Sequence, residues 1–550
     1  MGDRGLAPVQ HLGGAEDRAL RGHRLQSPQL SQIQHGCSIE SIEDCRFLAI
    51  PHRIPRLEDR RVTATTPYAD AIRTLADRDL QRLNVPGHAA DPAAAPLLAG
   101  FFGEDVLRYD VEPLLDGIDK GTPNPLEEAR AQAARAWGAR RTWFLTNGAS
   151  EANRMTALAL SAFRTPDEIV VAQRSAHSSF FDGIILGGLD PRFVQPTIDE
   201  HHGINHGVTP SAMREALRGV EAKAAYIISP SYFGAVADVE GIAEVCHEAG
   251  VPLIVDAAWA AHFGFHPDLP ANPIALGADV MVSSTHKMGG SLTQSAMLHL
   301  ADGPYADELE PLIDRAFMFT QSTSASSLLL ASLDLARATL EDGHDRIAAS
   351  LAAAAELRDA VRATGRFPIV SDGFGAFPDI VDHDPLRVSI DVGAAGLHGH
   401  TVREELLRNA GIMTEISTGS CIVAFIGPGT TPDAARFVAA LEALQPIGAL
   451  AARGDAGSVA LPTPGAAVMR PRDAAFAHTE IVPAAEAVGR VSADSLAAYP
   501  PGIPNVLPGE VLTAETIAFL RGIAATPGGY VRGAADAFVD GVRVVVQDQG

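Results

Sequence analysis

Residues 283–299 read Ser283-Ser284-Thr285-His286-Lys287-Met288-Gly289-Gly290-Ser291-Leu292-Thr293-Gln294-Ser295-Ala296-Met297-Leu298-His299. The apolar residues at both ends of this segment predict two strands, and Lys287 follows the carboxyl end of the first. Open α/β sheets bind ligands at that edge. A lysine buried there is costly unless it is paired, neutralised or used covalently. A solvated loop lysine is the alternative, and it would be the default for a single lysine considered alone.

A carboxylate at the end of the preceding predicted strand favours the interpretation of Lys287 as a functional residue. The segment Pro252–Val255 is short and apolar, and Asp256 follows it directly. Two successive strand ends therefore carry opposite charges. A Schiff base on Lys287 is one use of such a pair.

The composition is that of a globular enzyme with an acidic surface. The 550 residues carry a formal net charge of −24, which argues against nucleic acid or an anionic membrane as a partner and is weakly consistent with a cationic substrate.

The four cysteines lack metal-ligand spacing and are too few for a disulfide framework. We therefore predict that the protein has no metal site and lies in a reducing cytoplasm. We find no secretory signal and no apolar run long enough to cross a bilayer.

Strand and helix patterns alternate through the first two thirds of the chain and predict a mostly parallel sheet covered on both faces. The predicted strands are 142–145, 169–172, 225–229, 252–255, 280–283 and 296–299. We predict five segments: a poorly ordered extension (1–60), a major α/β domain (61–375), a small α/β domain (376–450), a linker (451–467) and a C-terminal domain (468–550).

The turn after the first predicted strand has the features of an anion site. It contains Gly148, Ala149 and Ser150 and opens a helix, so free backbone N–H groups and the helix dipole face the same point. The alternative is an ordinary turn and helix cap.

Taken together, Asp256 and Lys287 resemble the core of the fold-type I pyridoxal 5′-phosphate (PLP) enzymes. Within that group, the block from Ser283 to His299 resembles the ornithine/lysine/arginine decarboxylase class-I family. Residues 499–504, Tyr-Pro-Pro-Gly-Ile-Pro, and residues 508–510, Pro-Gly-Glu, are similar to that family's C-terminal domain. The resemblance spans about residues 65–545 and corresponds to the shorter members, without an N-terminal wing domain.

The resemblance implies a role for each candidate site residue. Lys287 would bind the cofactor aldehyde, Asp256 would pair with the ring nitrogen, and His177 would stack on the ring. The residues implied in phosphate binding are Gly148, Ala149, Ser150, Ser284 and His286, with Thr323 and Ser324 acting on the phosphate of the partner subunit in a homodimer. The alternatives are a helix-capping His177, a His286 that only bonds its own loop, and a Ser-rich helix cap at 321–327.

Several positions differ from the family pattern. Ala89 and Ala90 stand where Lys-Gly is usual, Ala149 lacks a frequent hydroxyl, and Trp259 replaces a frequent histidine. Glu510 is a candidate contact for a cationic side chain, although we favour a helix-start role for it.

The implied activity is that of a lyase: PLP-dependent decarboxylation of arginine, lysine or ornithine to the amine and CO2, in cytoplasmic polyamine biosynthesis. After loss of CO2, Lys287 or a nearby histidine would protonate Cα. Two alternatives stay open at this stage. One is another fold-type I reaction, such as transamination or β-elimination, and the other is a catalytically silent homologue.

Overall fold

The computed structural model describes residues 64–164, 168–445, 462–499, 503–525 and 529–546. The predicted extension 1–60, residues 451–461 of the predicted linker and residues 500–502 lie outside this part of the chain. Residues 462–466 form no helix or strand, and Ala467 makes an isolated bridge to Glu510.

The helices and strands alternate as the sequence predicts. The helices are α1 (Pro67–Ala76), α2 (Pro96–Phe102), α3 (Glu104–Tyr109), α4 (Pro125–Trp137), α5 (Gly148–Ser161), α6 (Ser178–Gly187), α7 (Pro210–Leu217), α8 (Val239–Glu248), α9 (Thr285–Met288), α10 (Ala306–Thr320), α11 (Ser327–Glu341), α12 (His344–Ala363), α13 (Gly399–Ala410), α14 (Ala434–Glu442), α15 (Pro471–Ala475), α16 (Ala484–Ala487) and α17 (Ala514–Ala524).

The strands are short, as in most α/β proteins. They are β1 (Arg141–Leu145), β2 (Ile169–Gln173), β3 (Asp190–Val194), β4 (Ile198–Asp199), β5 (Ile204–Asn205), β6 (Ala224–Ile228), β7 (Ala235–Ala237), β8 (Leu253–Asp256), β9 (Val280–Ser283), β10 (Ala296–Leu300), β11 (Ile380–His383), β12 (Arg387–Asp391), β13 (Ile416–Ser417), β14 (Cys421–Phe425), β15 (Thr479–Pro483), β16 (Leu496–Tyr499), β17 (Ile503–Val506), β18 (Tyr530–Arg532) and β19 (Gly541–Val545).

The central sheet has seven strands in the order β1-β10-β9-β8-β6-β2-β3. Strands β9, β8, β6, β2 and β3 pair in parallel, and β10 pairs antiparallel with both β1 and β9. The prediction of a mostly parallel sheet is confirmed. Since β10 runs opposite to both neighbours, β1 has the same direction as the parallel strands. The carboxyl ends of β1, β2, β8 and β9 therefore lie at one edge.

Alternate residues of each strand pack on opposite faces of this sheet. In β8, Leu253 and Val255 join one hydrophobic cluster, and Ile254 joins another on the other face. Both faces are buried, which explains why the strands are continuous apolar runs.

Helix α4, one of the helices that flank the sheet, begins and ends at residues that the local sequence determines. Asn124 accepts the Glu127 N–H at 2.8 Å, and Gly138 ends the helix in the left-handed region at φ 70°.

Two smaller groups of elements follow the central sheet. A three-stranded sheet, β12-β14-β13, packs with α12, α13 and α14 around a second core. The last part of the chain forms the sheets β15-β19 and β17-β16-β18 around a core of its own. The predicted boundaries of the domains 61–375, 376–450 and 468–550 stay predictions. Within the described residues, none of the helices combines the length and apolarity needed to cross a bilayer.

A buried ion pair joins the C-terminal elements to the loop after β2. Arg174 donates to Glu510 at 3.1 Å and to the carbonyl of Pro504 at 2.7 Å, and both charged side chains are almost fully buried. Our favoured interpretation of Glu510 as a helix-start residue is wrong. Helix α17 begins at Ala514 with Thr513 as its cap, and the Glu510 carboxylate is engaged by Arg174 and the Leu507 N–H.

We predict that Arg174→Ala destabilises the protein by about 3 kcal/mol, because it leaves the Glu510 carboxylate buried without its cation. Urea unfolding followed by far-UV circular dichroism would measure the change. The matched control is Arg192→Ala, which breaks an exposed pair with Asp190 and should cost less than about 1 kcal/mol. Equal midpoints for the two variants would contradict the prediction.

Candidate active site

Lys287 lies at the carboxyl edge of the central sheet, on the short helix α9 that follows β9. Its ammonium nitrogen is 4.0 Å from the ring centroid of Trp259 and 6.0 Å from that of Tyr232. Burial against these rings lowers the pKa of Lys287 to about 8, although the Asp256 carboxylate opposes the shift. The sequence contains only two other lysines. Lys120 is exposed and pairs with Asp116, and Lys223 donates to the carbonyl of Phe163.

Asp256 ends strand β8, which pairs directly with β9. Its carboxylate is buried and accepts three hydrogen bonds: from the Tyr226 hydroxyl at 2.8 Å, from the Asn153 amide at 3.0 Å and from the Ala258 N–H at 3.1 Å. All three donors are neutral. Burial, followed by the charge of Asp256, raises the pKa of Tyr226 well above its ordinary value, so its hydroxyl stays a donor.

His177 lies after β2 and is connected to Asp256 through side chains. Asn153 donates from one amide nitrogen to both Asp256 and the Ser179 hydroxyl, and that hydroxyl is 2.8 Å from Nδ1 of His177. Nδ1 also accepts the Ser179 N–H at 3.2 Å, so the ring caps helix α6, as one of our interpretations predicted. Burial lowers the pKa of His177 to about 4. The ring is therefore neutral at pH 7, with its proton on Nε2.

The turn after β1 reaches the same edge. Gly148 adopts φ 75° at the first position of α5, a conformation that favours glycine, and Ala149 and Ser150 continue the helix start. Gln294, on the loop after Lys287, lies beside this turn, and its amide is 3.5 Å from the side-chain oxygen of Asn147. The structure thus brings the predicted anion site next to the lysine loop.

Ser284 and His286 flank the lysine, and their observed contacts are local. Nδ1 of His286 donates to the carbonyl of Ser295 at 2.9 Å and lies 3.3 Å from the Ser284 hydroxyl. Ser284 is buried, and burial lowers the pKa of His286. The loop-bonding alternative for His286 matches these contacts. Phosphate binding by either residue stays a prediction.

Thr323 and Ser324 are exposed, in the turn between α10 and α11. The contact observed there is local, from the Ser324 N–H to the Ser322 hydroxyl at 3.1 Å. Within the described chain, no hydrogen bond joins these two residues to the other predicted site residues.

Sequence reasoning missed Arg387, which lies beside the lysine. Its guanidinium carbon is 4.4 Å from the ring centroid of Trp259, so this indole contacts both Arg387 and Lys287. Arg387 is buried and donates to the carbonyl of Tyr232 at 2.6 Å. In the described part of the chain, its Nε and Nη2 atoms have no hydrogen-bond partner, and Nη2 lies 3.7 Å from the Asp384 carboxylate as an ion pair. The available signal was a charged residue at the start of the predicted strand that became β12.

Sequence comparison decides the family. The family profile described as "Orn/Lys/Arg decarboxylase, major domain" matches residues 66–433, and the profile of that family's C-terminal domain matches residues 460–528. The chain belongs to the Orn/Lys/Arg decarboxylase family. The arginine decarboxylase of Bacillus subtilis (strain 168) is 34% identical over 495 residues, covering 88% of this chain and 98% of that protein. The arginine decarboxylase of Bacillus anthracis is 32% identical over 464 residues, covering 83% of this chain and 92% of that protein.

Solved structures of this family share the fold. The Escherichia coli constitutive lysine decarboxylase superposes with a TM-score of 0.72 at 22% identity, covering 88% of this chain and 82% of that one. Lysine decarboxylase A of Pseudomonas aeruginosa gives a TM-score of 0.73 at 22% identity, covering 87% and 80%. These superpositions confirm the predicted fold class.

Two departures from the family pattern have a backbone consequence. Ala89 and Ala90, where Lys-Gly is usual, adopt φ 48° and 57°. A side chain in this left-handed region costs roughly 1–2 kcal/mol per residue. The chain therefore adopts the left-handed conformation at both positions without a glycine that would favour it.

We predict that Lys287 in the protein without added cofactor is acylated by acetic anhydride with a half-maximal rate near pH 8, because half of its amine is neutral there. An acetylated lysine peptide added to the same reaction is the reference, because the lysine side chain of a model peptide has a pKa of about 10.4. Mass spectrometry of the two peptides measures both pH profiles at once. Identical profiles for Lys287 and the reference peptide would show that Lys287 has no lowered pKa.

Proposed function

We propose that this chain decarboxylates arginine to agmatine and CO2 with pyridoxal 5′-phosphate as cofactor. The observation that carries the proposal is the placement of Lys287 and Asp256 at adjacent strand ends in a member of the Orn/Lys/Arg decarboxylase family. Arginine is preferred over lysine and ornithine because the relatives with more than 30% identity and broad coverage are named arginine decarboxylases.

The buried carboxylate of Asp256 fits this cofactor. Three other buried carboxylates in the described chain face cations: Asp334 faces Arg337, Asp384 faces Arg387, and Glu510 faces Arg174. Asp256 forms no ion pair within the described residues, and its donors are neutral. An isolated buried charge is unfavourable unless a cation approaches it. A protonated pyridine nitrogen would supply that cation.

When bound, the cofactor supplies an aldehyde for the lysine amine and a conjugated ring that accepts the electron pair left by the departing carboxylate. With a pKa of about 8, roughly a tenth of Lys287 is neutral at pH 7, compared with less than about a thousandth for an ordinary lysine. Lys287 is therefore a competent amine nucleophile at physiological pH. We propose that Lys287 or a nearby histidine returns a proton to the substrate Cα.

The neutral ring of His177 suits the predicted stacking position. A neutral imidazole packs on an aromatic surface without adding charge next to Asp256, and its Ser179 hydrogen bonds fix its orientation. The N–H groups at the start of α5, around Gly148, Ala149 and Ser150, would hold the phosphate. Ser284 is our proposed additional donor.

Arg387 and Glu415 are the proposed contacts for the two ends of the substrate. The Nε atom of Arg387 is buried without a hydrogen-bond partner in the described chain, and Nη2 pairs with Asp384 only at 3.7 Å, so a substrate carboxylate would supply the missing hydrogen bonds. Glu415 is exposed, and its charge acts on Lys287, His286 and Arg387. A carboxylate at that position would attract a guanidinium side chain.

We expect the purified protein with added pyridoxal phosphate to release CO2 and agmatine from arginine faster than it releases CO2 from lysine or ornithine. Lys287→Ala should abolish the release, and Asp256→Asn should lower it by about 100-fold or more. Arg387→Gln should raise KM for arginine by about tenfold, the loss expected for one charged hydrogen bond. If arginine yields a keto acid instead of an amine and CO2, the reaction is a transamination and this proposal is wrong.

Borohydride reduction tests the cofactor separately. Protein incubated with pyridoxal phosphate and then reduced should carry the phosphopyridoxyl group on the Lys287 peptide. Lys120→Arg is the matched control, because it removes an exposed lysine and should keep the label. If the label stays after Lys287→Ala, or if the native protein takes up no label, then Lys287 is not the cofactor lysine. The second result would favour a catalytically silent homologue.

We propose further that the active unit is a homodimer in the cytoplasm, in which Thr323 and Ser324 reach the partner subunit's phosphate. Exposed apolar residues support an interface there: Met318 and Phe319, at the end of α10, are 76% and 74% exposed. Monomeric proteins rarely expose neighbouring large apolar side chains without a binding role.

We predict that Phe319→Asp shifts the protein from dimer to monomer and lowers both activity and pyridoxal phosphate affinity, because it places a charge in the interface. Light scattering coupled to size-exclusion chromatography measures the mass. The control is Phe538→Asp, a residue of similar exposure in the C-terminal elements. A dimer that survives Phe319→Asp with full activity would contradict the proposed interface.

A further inference from the structure

A group of histidine and aspartate side chains lies where the hairpin β4–β5 meets the end of β12. Nε2 of His201 and Nε2 of His202 are each 3.5 Å from the same oxygen, Oδ2 of Asp391. Each of the three residues offers one possible ligand atom, and these atoms lie within 4.8 Å of one another. None of these residues belongs to the proposed active site.

Hydrogen bonds fix which nitrogen of His202 faces Asp391. Oδ2 of Asp199 is 2.6 Å from Nδ1 of His202, and Oδ1 of Asp199 accepts the His202 backbone N–H at 3.0 Å. Nδ1 therefore carries the ring proton and donates it to Asp199. In the neutral ring, the Nε2 lone pair then faces the Asp391 carboxylate.

The distances from Oδ2 of Asp391 are suited to a shared metal ion. Each is 3.5 Å, longer than the approximately 2.7–2.9 Å of a direct charge-assisted hydrogen bond. With metal–ligand bonds of about 2.0–2.1 Å, two ligand atoms of a tetrahedral site are separated by about 3.3 Å. Both distances from Asp391 are close to this value.

We propose that His201, His202 and Asp391 bind a divalent transition metal ion of the zinc class, with a water molecule as the fourth ligand. The ligand set of two imidazoles and one carboxylate is typical of zinc sites that keep an open position. Asp199 acts as a positioning residue, because a carboxylate on the second ring nitrogen orients a ligating histidine and increases its basicity. His201 is 77% exposed on its side chain, so the open position faces solvent.

His202 is the histidine that forms the short contact with the Asp199 carboxylate. The neighbouring His206 is buried, and its Nε2 is 4.0 Å from Oδ2 of Asp199. Neither of its ring nitrogens has a hydrogen-bond partner among the described residues, and its ring packs against Phe374 and Phe377. Asp391 is held in a similar way, because its other oxygen accepts the Ala394 N–H at 3.0 Å. Both carboxylates are thus fixed in place before a metal binds.

A bound ion would connect two parts of the fold. The ligands His201 and His202 come from the β4–β5 hairpin, and Asp391 comes from β12 of the three-stranded sheet. A ligand that binds the folded chain and not the unfolded one stabilises it. The metal would therefore raise the melting temperature, whatever its effect on catalysis.

The test uses the full chain without an affinity tag, stripped with EDTA, incubated with Zn²⁺ and dialysed. Elemental analysis should find about one zinc per chain. His202→Gln and Asp391→Asn should each remove it. His344→Gln is the matched control: His344 is 3.4 Å from Asp345 in an exposed pair that belongs to no three-ligand group in the described chain, and this variant should keep the zinc.

Thermal melting gives the second readout. Zn²⁺ should raise the melting temperature of the wild-type chain and of His344→Gln, and should leave that of His202→Gln unchanged. Since buried residues risk misfolding when replaced, His201→Ala serves as the exposed variant, and it should melt like the wild type in EDTA while losing the zinc. Failure of the wild-type chain to retain zinc, or retention of zinc by both His201→Ala and His202→Gln, would overturn the proposal.

Discussion

The pairing of β8 with β9 determines most of what this protein can do, because it places a buried carboxylate and a half-buried lysine at adjacent strand ends. Neither charge is solvated there in the ordinary way. Asp256 is compensated by neutral donors on α5 and β6, and Lys287 lies against an indole ring instead of water. The sheet must be fully covered on both faces to keep these groups dry, so the apolar layers and the site chemistry depend on the same packing.

The C-terminal elements extend this constraint to the loop that carries His177. Arg174, three residues before His177, is held by Glu510 and the carbonyl of Pro504, and Arg532 donates to the hydroxyl of Ser178. Residues more than 300 positions away thus position the start of α6. A loop at a strand end is mobile by default. Here the last part of the chain fixes it, which gives a physical reason for the C-terminal domain in this family.

The sequence was sufficient to predict the elements whose pattern is local. The apolar strands β1, β2, β6, β8, β9 and β10 were placed within about two residues, because each is an uninterrupted buried run. Strand β3 was missed, since Asp190-Pro191 at its start is typical of a turn, and proline is tolerated there only because β3 is an edge strand. Where tertiary contacts determine the start or end of a strand, the sequence contains no local pattern that predicts it.

The same distinction separates the predicted site residues from the neighbouring residues that only the structure reveals. Lys287, Asp256 and His177 follow strands, so strand prediction alone places them at one edge. Asn153 is on the second turn of a helix, and Tyr226 and Arg387 are within strands, where a residue is interpreted as packing. Their contacts with Asp256 and Trp259 appear only in the folded structure, where α5, β6 and β12 come close to the end of β8. The groups that surround a buried charge are thus harder to predict than the charge itself.

Asp256 and Asp391 are both buried, but their surroundings differ. Each has an oxygen fixed by a backbone N–H, Ala258 in one case and Ala394 in the other. Around Asp256 the other hydrogen-bond donors are neutral, and the charge of Lys287 acts on the same site. Around Asp391 the facing atoms are the imidazole nitrogens of His201 and His202. Since a buried charge is retained only when something compensates it, these surrounding atoms are the reason that we propose a protonated heterocycle as the partner of Asp256 and a metal ion as the partner of Asp391.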